Sequence, residues 1–186
     1  MPSQRSPHLE RWAIPFIGRR LSAPAATTAL AVVAVVVWLF WPTMALEIHR
    51  GEGGPVVKTM RVNPGDRFTY TYLHSVQKRP VEEILEVTSD GRLVVRETAY
   101  DMLGVGLPSD VLDGDFVFDD ENDKFRIVNM ARDLPVMRVR VAFTAEQTLK
   151  VGSEEFRLDS LATPMTLLVI EAASRPRVAA WLSLGA

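Results

Sequence analysis

A run of 26 consecutive residues, Leu21 to Leu46, carries no charged side chain. Its densest part, Ala29 to Trp41, contains only alanine, valine, leucine, tryptophan and phenylalanine. About 20 helical residues cross the hydrocarbon core of a bilayer, because a helix rises about 1.5 Å per residue. Pro24 suits the first turn of such a helix, and Pro42 suits a stop after the apolar part. The run therefore predicts a single transmembrane helix over residues 21–46.

The flanking charges orient the predicted helix. Residues 1–20 contain four arginines and one glutamate, a net charge of +3, and the whole chain carries −2. Since the run itself contributes nothing, residues 47–186 carry −5. Positive charge stays on the cytoplasmic side, and tryptophans such as Trp38 and Trp41 prefer the membrane interface. We therefore expect a cytoplasmic tail over residues 1–20, a membrane anchor, and an extracytoplasmic domain over residues 47–186.

Two other interpretations of the uncharged run stay open. The first is a cleaved signal peptide, because Thr43-Met44-Ala45 places small residues at positions −3 and −1 of a cut after Ala45. Apolar regions of signal peptides span about 7–15 residues, however, and the bulky Trp38, Phe40 and Trp41 crowd this site. The second is a buried core helix of a soluble protein, which a run of this length without charge disfavours.

Beyond the uncharged run the apolar residues recur with a period of about two, which favours β-strands. Phe68–Tyr72 alternates aromatic residues with threonine, and Asp90-Gly91 separates two runs rich in β-forming residues. A second hairpin is predicted to turn near Gly152-Ser153. We therefore predict a mainly β chain, in which residues 47–186 form an extracytoplasmic antiparallel β-sandwich or barrel.

Composition disfavours several kinds of site. The chain has no cysteine, which removes thiol nucleophiles, iron–sulfur clusters and cysteine zinc sites. His49 and His74 are the only histidines after residue 46, and neither lies in a ligand-spaced pair, so we predict no metal and no cofactor. The acidic stretch Asp110–Asp123 lacks the spacing of a calcium loop and favours a solvated loop and turn. The acidic domain has no basic face and no nucleotide-binding loop, so we expect no nucleic acid partner.

The segment from Tyr70 to Val87 predicts a hairpin with a four-residue loop at Gln77 to Pro80. In that register His74 lies opposite Glu83, because side chains alternate between the two faces of a strand. A two-residue turn in the following hairpin then pairs Glu83 with Thr98 and places Arg96 as a diagonal neighbour of Glu83. The sequence therefore predicts His74, Glu83 and Arg96 on one sheet face.

Such a charged cluster on an apolar face has two interpretations, and both stay open. It is either a paired network that fixes the sheet register, or a site for an anion or a docking partner. Ser75 is a poor nucleophile for His74, since adjacent strand residues point to opposite faces. Lys78 and Arg79 lie at the predicted hairpin tip, where they are exposed and would contact acidic partners. The candidate binding residues are His74, Ser75, Lys78, Arg79, Glu82, Glu83 and Arg96.

Three short elements resemble the signature of a bacterial family known as domain of unknown function 1850. They are Tyr72–Val76, Pro80–Glu83 and Gly104–Pro108, and the resemblance extends over roughly residues 46–145. The family's His-Ser-Val and Pro-Val-Glu-Glu elements map onto His74–Val76 and Pro80–Glu83. Its members are typically small, membrane-anchored or exported, and often encoded beside tripartite ATP-independent periplasmic (TRAP) transporters of the TAXI type. No catalytic activity is established for the family, and the resemblance implies an accessory role in solute uptake.

These observations support one leading function and two competitors. The leading expectation is a single-pass membrane protein whose β domain docks to the membrane subunit or the solute-binding protein of a TAXI-type TRAP transporter. The alternative is an extracytoplasmic module that binds a small anion such as a carboxylate. A hydrolase that uses His74 as a base is least favoured, because no nucleophile is paired with a base. We therefore predict that the protein is not an enzyme.

Overall fold

A computed structural model describes residues 23–101 and 113–179 of the chain, with side chains from residue 27 onward. These residues include an α-helix before the first strand, a short 3-10 helix at Leu158–Ser160, and twelve strands; residues 177–179 are also helical. The helix is α1 (Ala23–Phe40). The strands are β1 (Pro42–Arg50), β2 (Val56–Val62), β3 (Arg67–Leu73), β4 (Pro80–Val87), β5 (Leu93–Tyr100), β6 (Asp115–Asp119), β7 (Lys124–Val128), β8 (Arg132–Leu134), β9 (Met137–Arg140), β10 (Thr148–Val151), β11 (Glu154–Arg157) and β12 (Leu167–Pro176).

Helix α1 contains no charged residue, and its large apolar side chains are exposed, Leu30 by 72% and Phe40 by 63%. Among the described residues, none of the helices combines the length and the apolar character needed to cross a membrane. The predicted helix over residues 21–46 also extends too far, because Pro42 opens β1. Proline has no N–H for a helical hydrogen bond, and residues 42–46 pair instead with β12 along the sheet.

Cleavage after Ala45 would divide β1. Ala45 is buried, and it lies opposite Ala173 on β12 and Arg61 on β2. A cut at this position would remove four residues from a strand that is paired on both sides.

The strands form two antiparallel sheets, which confirms the predicted mainly β, antiparallel chain. The smaller sheet has the order β2-β1-β12-β9, and the larger has the order β11-β10-β3-β4-β5-β7-β6, with β8 paired to β5. One hydrophobic core draws residues from both sheets, including Leu46 and Ile170 from the smaller, and Leu85 and Leu149 from the larger. The described strands therefore make two packed open sheets and not one closed barrel.

Alternation along the central strands decides which side chains reach the core. Leu46 and Ile48 of β1 are fully buried in it, so Glu47 and His49 belong to the opposite face of the smaller sheet. On β4 the residues Val81, Leu85 and Val87 are buried in the core. Glu83 lies between them in the alternation and is therefore a carboxyl group on the inner face of the larger sheet.

The predicted turns were right in place but not all in length. Val151 pairs with Glu154, which confirms the two-residue turn at Gly152-Ser153. The hairpin at Asp90-Gly91 has a five-residue loop, because Val87 pairs with Leu93 instead of the predicted Val94. Thr88 closes this loop, since its N–H donates to the Arg92 carbonyl oxygen at 2.9 Å.

The predicted solvated loop over residues 110–123 is partly a strand. Residues 115–119 form β6, which lies at the end of the larger sheet and pairs with β7. Phe116 and Phe118 each pack against the ring of Phe125, at 5.8 and 4.9 Å between ring centroids. This aromatic packing favours the strand. Residues 102–112, which include the Gly104–Pro108 element and Asp110, lie outside the described residues.

Candidate functional site

The structure does not bring His74 opposite Glu83. Strand β3 pairs with β4 so that Tyr70 faces Glu83 and Leu73 faces Pro80, and the predicted four-residue loop is wrong. Residues 74–79 form a six-residue loop closed by its own hydrogen bonds. The His74 N–H donates to the Arg79 carbonyl oxygen at 2.8 Å. His74 therefore helps to define the loop and lies away from Glu83.

Arg96 also lies apart from Glu83, because a β-bulge interrupts β5. Leu85 pairs with Val95 and Ile84 pairs with Glu97, which leaves Arg96 as the extra residue. Its guanidinium binds Glu86, with Nε 3.2 Å from Oε2 and Nη2 3.1 Å from Oε1. The predicted Arg96–Glu83 neighbourhood is therefore wrong.

The predicted pairing of Glu83 with Thr98 is nevertheless confirmed. The loop after Val87 shifts the pairing of β4 with β5 by one residue from the predicted register, and the bulge at Arg96 shifts it back. Two errors in the predicted register thus cancel at Glu83.

The other predicted site residues lie at the surface of the larger sheet or in the loop before β4. Glu82 faces away from the core and binds Lys124 at 2.7 Å between Oε1 and Nζ. Arg79 lies 3.3 Å from Asp101, and Ser75 and Lys78 are exposed in the loop. The predicted residues therefore do not converge on one site, and a binding role for the exposed ones stays a prediction.

The structure instead places Glu83 in a cleft that the sequence did not reveal. The cleft has a volume of about 370 Å³ and is lined by strands of both sheets. Its lining residues are Tyr70, Tyr72, Glu83, Arg132, Leu134, Met137, Arg138, Val139, Arg140 and Gln147. Tyr70 and Tyr72 stack with 5.2 Å between ring centroids. The cleft therefore combines a carboxyl group, two tyrosines and three arginines in one concave surface, which we call the Glu83 cleft.

Burial dominates the protonation behaviour of this cleft. It raises the pKa of Glu83, and the charge of Arg132 only partly opposes the rise. Burial also raises the pKa of Tyr70 to about 12, against the hydrogen bond from Gln147, whose Nε2 donates to the Tyr70 hydroxyl at 3.0 Å. The pKa of Tyr72 is raised by burial and by the nearby Glu83. The tyrosines therefore stay protonated at neutral pH.

The three arginines of the cleft differ in their engagement. Arg138 donates to Glu52 at 2.5 Å, and Arg140 donates to the Met165 carbonyl oxygen at 2.8 Å. Arg132 is 3.7 Å from Glu83 Oε1, which is longer than a hydrogen bond. Arg132 and Glu83 therefore have no short hydrogen bond to each other that would have to break before either one contacts a bound carboxylate or a partner side chain.

A second cluster of ionisable residues, which the sequence did not predict, lies on the outer face of the smaller sheet. Glu47 and His49 are alternate residues of β1, and Glu171 lies opposite Glu47 on β12. Arg175 donates to both carboxylate oxygens of Glu47, at 2.7 and 2.8 Å, and these hydrogen bonds lower the pKa of Glu47 although burial opposes the shift. The prediction that neither histidine has a ligand-spaced partner did not take Glu47 into account. Glu47 lies two positions before His49, so both side chains lie on the same face of β1.

Comparison with known proteins gives one family. Residues 68–158 match the family model described as Domain of unknown function (DUF1850). Neither the curated proteins nor the solved structures contain a significant match to the chain. The matched range runs from β3 to Leu158. It includes the Tyr72–Val76 and Pro80–Glu83 elements and the strands that line the Glu83 cleft. Residues 68–158 of this chain, about half of its length, thus belong to the DUF1850 family.

Proposed function

We propose that this protein is a membrane-attached accessory module of a TAXI-type TRAP solute transporter. In this proposal the Glu83 cleft contacts the membrane subunit or the solute-binding protein. The family match over residues 68–158 supports it, because the resemblance to this family implies an accessory role in solute uptake. Attachment to the membrane would keep the domain close to its partner and make a weak contact productive.

The observation that carries the proposal is the state of Glu83. A half-buried carboxyl group whose cation lies 3.7 Å away is poorly compensated, and an apolar side chain would serve the fold better at this core-facing position. Groups with such perturbed pKa values in a cleft are candidates for function. We infer that Glu83 is retained for a contact made with another molecule.

The proposal is tested by co-purification. Tagged full-length protein would be co-expressed with the transporter's membrane subunit and solute-binding protein, extracted in mild detergent, and compared with an unrelated anchored β domain. We expect enrichment of a transporter component, reduced about tenfold by Glu83→Gln or Arg132→Gln, as for a central contact residue.

The matched control is Glu82→Gln, which removes a carboxylate one position away on the opposite face of β4. This variant should retain the partner. The proposal is contradicted if wild type shows no enrichment, or if the two glutamine variants at positions 82 and 83 lose the partner equally.

A small-anion-binding module is the second candidate, favoured by the three arginines in the Glu83 cleft. The volume of about 370 Å³ lies within the range of small-molecule pockets. A ligand that binds only the folded state raises the thermal midpoint. We expect a dicarboxylate or an amino acid to raise the midpoint of the full chain, and Arg132→Gln to abolish the rise. An unchanged midpoint across both ligand classes rejects this candidate.

We further propose that residues 21–41, the uncharged run before β1, attach the chain to the inner membrane, with residues 1–20 cytoplasmic and the β domain periplasmic. The exposed apolar side chains of α1 support contact with lipid. The absence of cysteine makes the test clean, because a single introduced thiol reports its own side of the membrane. A membrane-impermeant maleimide should label Ser153→Cys in intact spheroplasts, and Ser3→Cys only after lysis. The reverse pattern contradicts the proposed orientation.

A further inference from the structure

Two carboxylates face each other on the outer side of the smaller sheet. Glu47 and Glu171 are directly paired residues of β1 and β12, and His49 projects from the same face two positions further along β1. Like charges directly opposite each other in a sheet are destabilising. Glu47 is only 4% exposed, so water screens this repulsion poorly. Arg175 donates to Glu47 and compensates part of this repulsion, and a second cation beside His49 would compensate it further.

His49 is oriented with its Nε2 toward both carboxylates. Its Nδ1 lies 3.1 Å from the Gly54 carbonyl oxygen, which can only accept, so Nδ1 carries the hydrogen. Nε2 lies 3.4 Å from Glu47 Oε2 and 3.3 Å from Glu171 Oε1. The same Nε2 is buried, and among the described residues it has no partner that meets the distance and angle limits of a hydrogen bond. In metal sites the ligating histidine commonly donates its other ring N–H to a backbone carbonyl, as Nδ1 of His49 does to Gly54.

The distances suit a tetrahedral ion. Zinc binds histidine nitrogen and carboxylate oxygen at about 2.0–2.1 Å, so neighbouring ligand atoms of a tetrahedron lie about 3.3–3.4 Å apart. The two separations from His49 Nε2 agree with this value, and all three ligand atoms lie within 4.8 Å of one another. Two of the three separations between the ligand atoms thus match a tetrahedral zinc site.

We propose that Glu47, His49 and Glu171 bind one Zn²⁺ ion, with a water molecule as the fourth ligand. The side chain of Glu171 is 39% exposed and gives the ion access from solvent. This site shares no residue with the Glu83 cleft, and the proposal does not depend on the proposed transport role.

Arg175 supports the site by fixing one ligand. It donates to both oxygens of Glu47, and each carboxylate oxygen has a second acceptor direction that remains for the ion. The same hydrogen bonds keep Glu47 ionised, which metal binding requires. Arg175 is therefore a positioning residue, as are the partners that orient ligands in metal sites generally.

The test uses full-length protein carrying a tag without histidine, stripped with a chelator and titrated with Zn²⁺ against a chromophoric competitor. We expect one ion per chain, and we expect His49→Gln and Glu171→Gln each to weaken binding by about tenfold or more. Glu171 is partly exposed, so its variant tests the site even if the His49 variant fails to fold. His74→Gln removes the other described histidine and should bind as wild type does.

Two further readouts identify the geometry and the occupant. Co²⁺ in place of zinc should give the intense visible absorption of a tetrahedral complex, and Zn²⁺ should shift the His49 ring resonances. The proposal is overturned if wild type binds no stoichiometric Zn²⁺, if His49→Gln and Glu171→Gln bind as tightly as wild type, or if His49 responds only to protons.

Discussion

Glu47 and Glu83 occupy comparable positions in the two sheets but differ in their nearest cation. Each lies on an interior strand and is largely buried, at 5% and 20% exposure of the side chain. Arg175 donates two short hydrogen bonds to Glu47, whereas Arg132 stays 3.7 Å from Glu83. The pKa of Glu47 is lowered by its arginine, and the pKa of Glu83 is raised by burial. The direction of a glutamate's pKa shift thus depends on the geometry of its partner as well as on burial.

The difference separates a carboxylate that is paired with an arginine from one that has no short partner among the described residues. The bonds of Glu47 with Arg175 connect the middle of β1 with the C-terminal end of β12 in the smaller sheet. Glu83 makes no comparably short contact among the described residues, and it faces an open cleft. We therefore expect the first to contribute to stability and the second to cost stability.

The largest expected effect comes from removing the partner of Glu47. Arg175→Met leaves a buried carboxylate without its hydrogen bonds, and we expect a loss of about 2 kcal/mol at pH 7. This is below the full cost of breaking a buried pair, since Arg175 itself is 47% exposed. The free energy of unfolding of the full chain in urea measures the loss.

The lowered pKa of Glu47 determines how the stability lost in Arg175→Met depends on pH. A lowered pKa in the folded state contributes stability above the ordinary value of 4.5, and this contribution is lost as the pH falls through the folded pKa. The difference between wild type and Arg175→Met should therefore shrink at acid pH. A difference that stays constant down to acid pH would show that the arginine acts by packing and not by its charge.

An opposite and smaller effect is expected at the Glu83 cleft. The raised pKa of Glu83 means that wild type loses stability as the pH rises from 4.5 through the folded pKa. Glu83→Gln should abolish this loss and stabilise the chain at pH 7 by about 1 kcal/mol, the size expected for a poorly paired buried polar group, with no gain below pH 4.5. Unfolding in urea at both pH values measures it. Destabilisation by this variant at pH 7 would show that Arg132 compensates Glu83 fully.

The smallest effect is expected one residue away. Glu82→Gln breaks the ion pair with Lys124, in which both side chains are about one-third exposed. Such pairs contribute about 0.5 kcal/mol or less, and salt screens them. Unfolding at low and high salt should show a loss that disappears at high salt. A loss as large as that of Arg175→Met would mean that the free energy of unfolding depends on the position along the strand and not on how deeply the ion pair is buried.

Local patterns in the sequence predicted the strands but not their register. The alternation in Phe68–Tyr72 and the Asp90-Gly91 turn correctly indicated β3 and the hairpin of β4 with β5. The register failed because loop closure depends on hydrogen bonds such as His74 to Arg79, which periodicity does not contain. The bulge at Arg96 is a similar local event.

Both sites depend on contacts between distant parts of the chain. Glu47 and Arg175 are 128 positions apart, and they meet only because β1 pairs with β12. Arg132 reaches Glu83 because β8 pairs with β5 beside β4. Strand order determines these contacts, and no motif within one strand encodes it. Only the paired spacing of Glu47 and His49 was visible in the sequence.

The most direct measurement is an NMR titration of the side-chain carboxyl carbons of the full chain, with Glu47→Gln and Glu83→Gln used to assign the two signals. Glu83 should titrate above the ordinary value of 4.5 and Glu47 below it. Titration of both groups at the ordinary value, or in the reverse order, would contradict the distinction between a paired structural carboxylate and an available one.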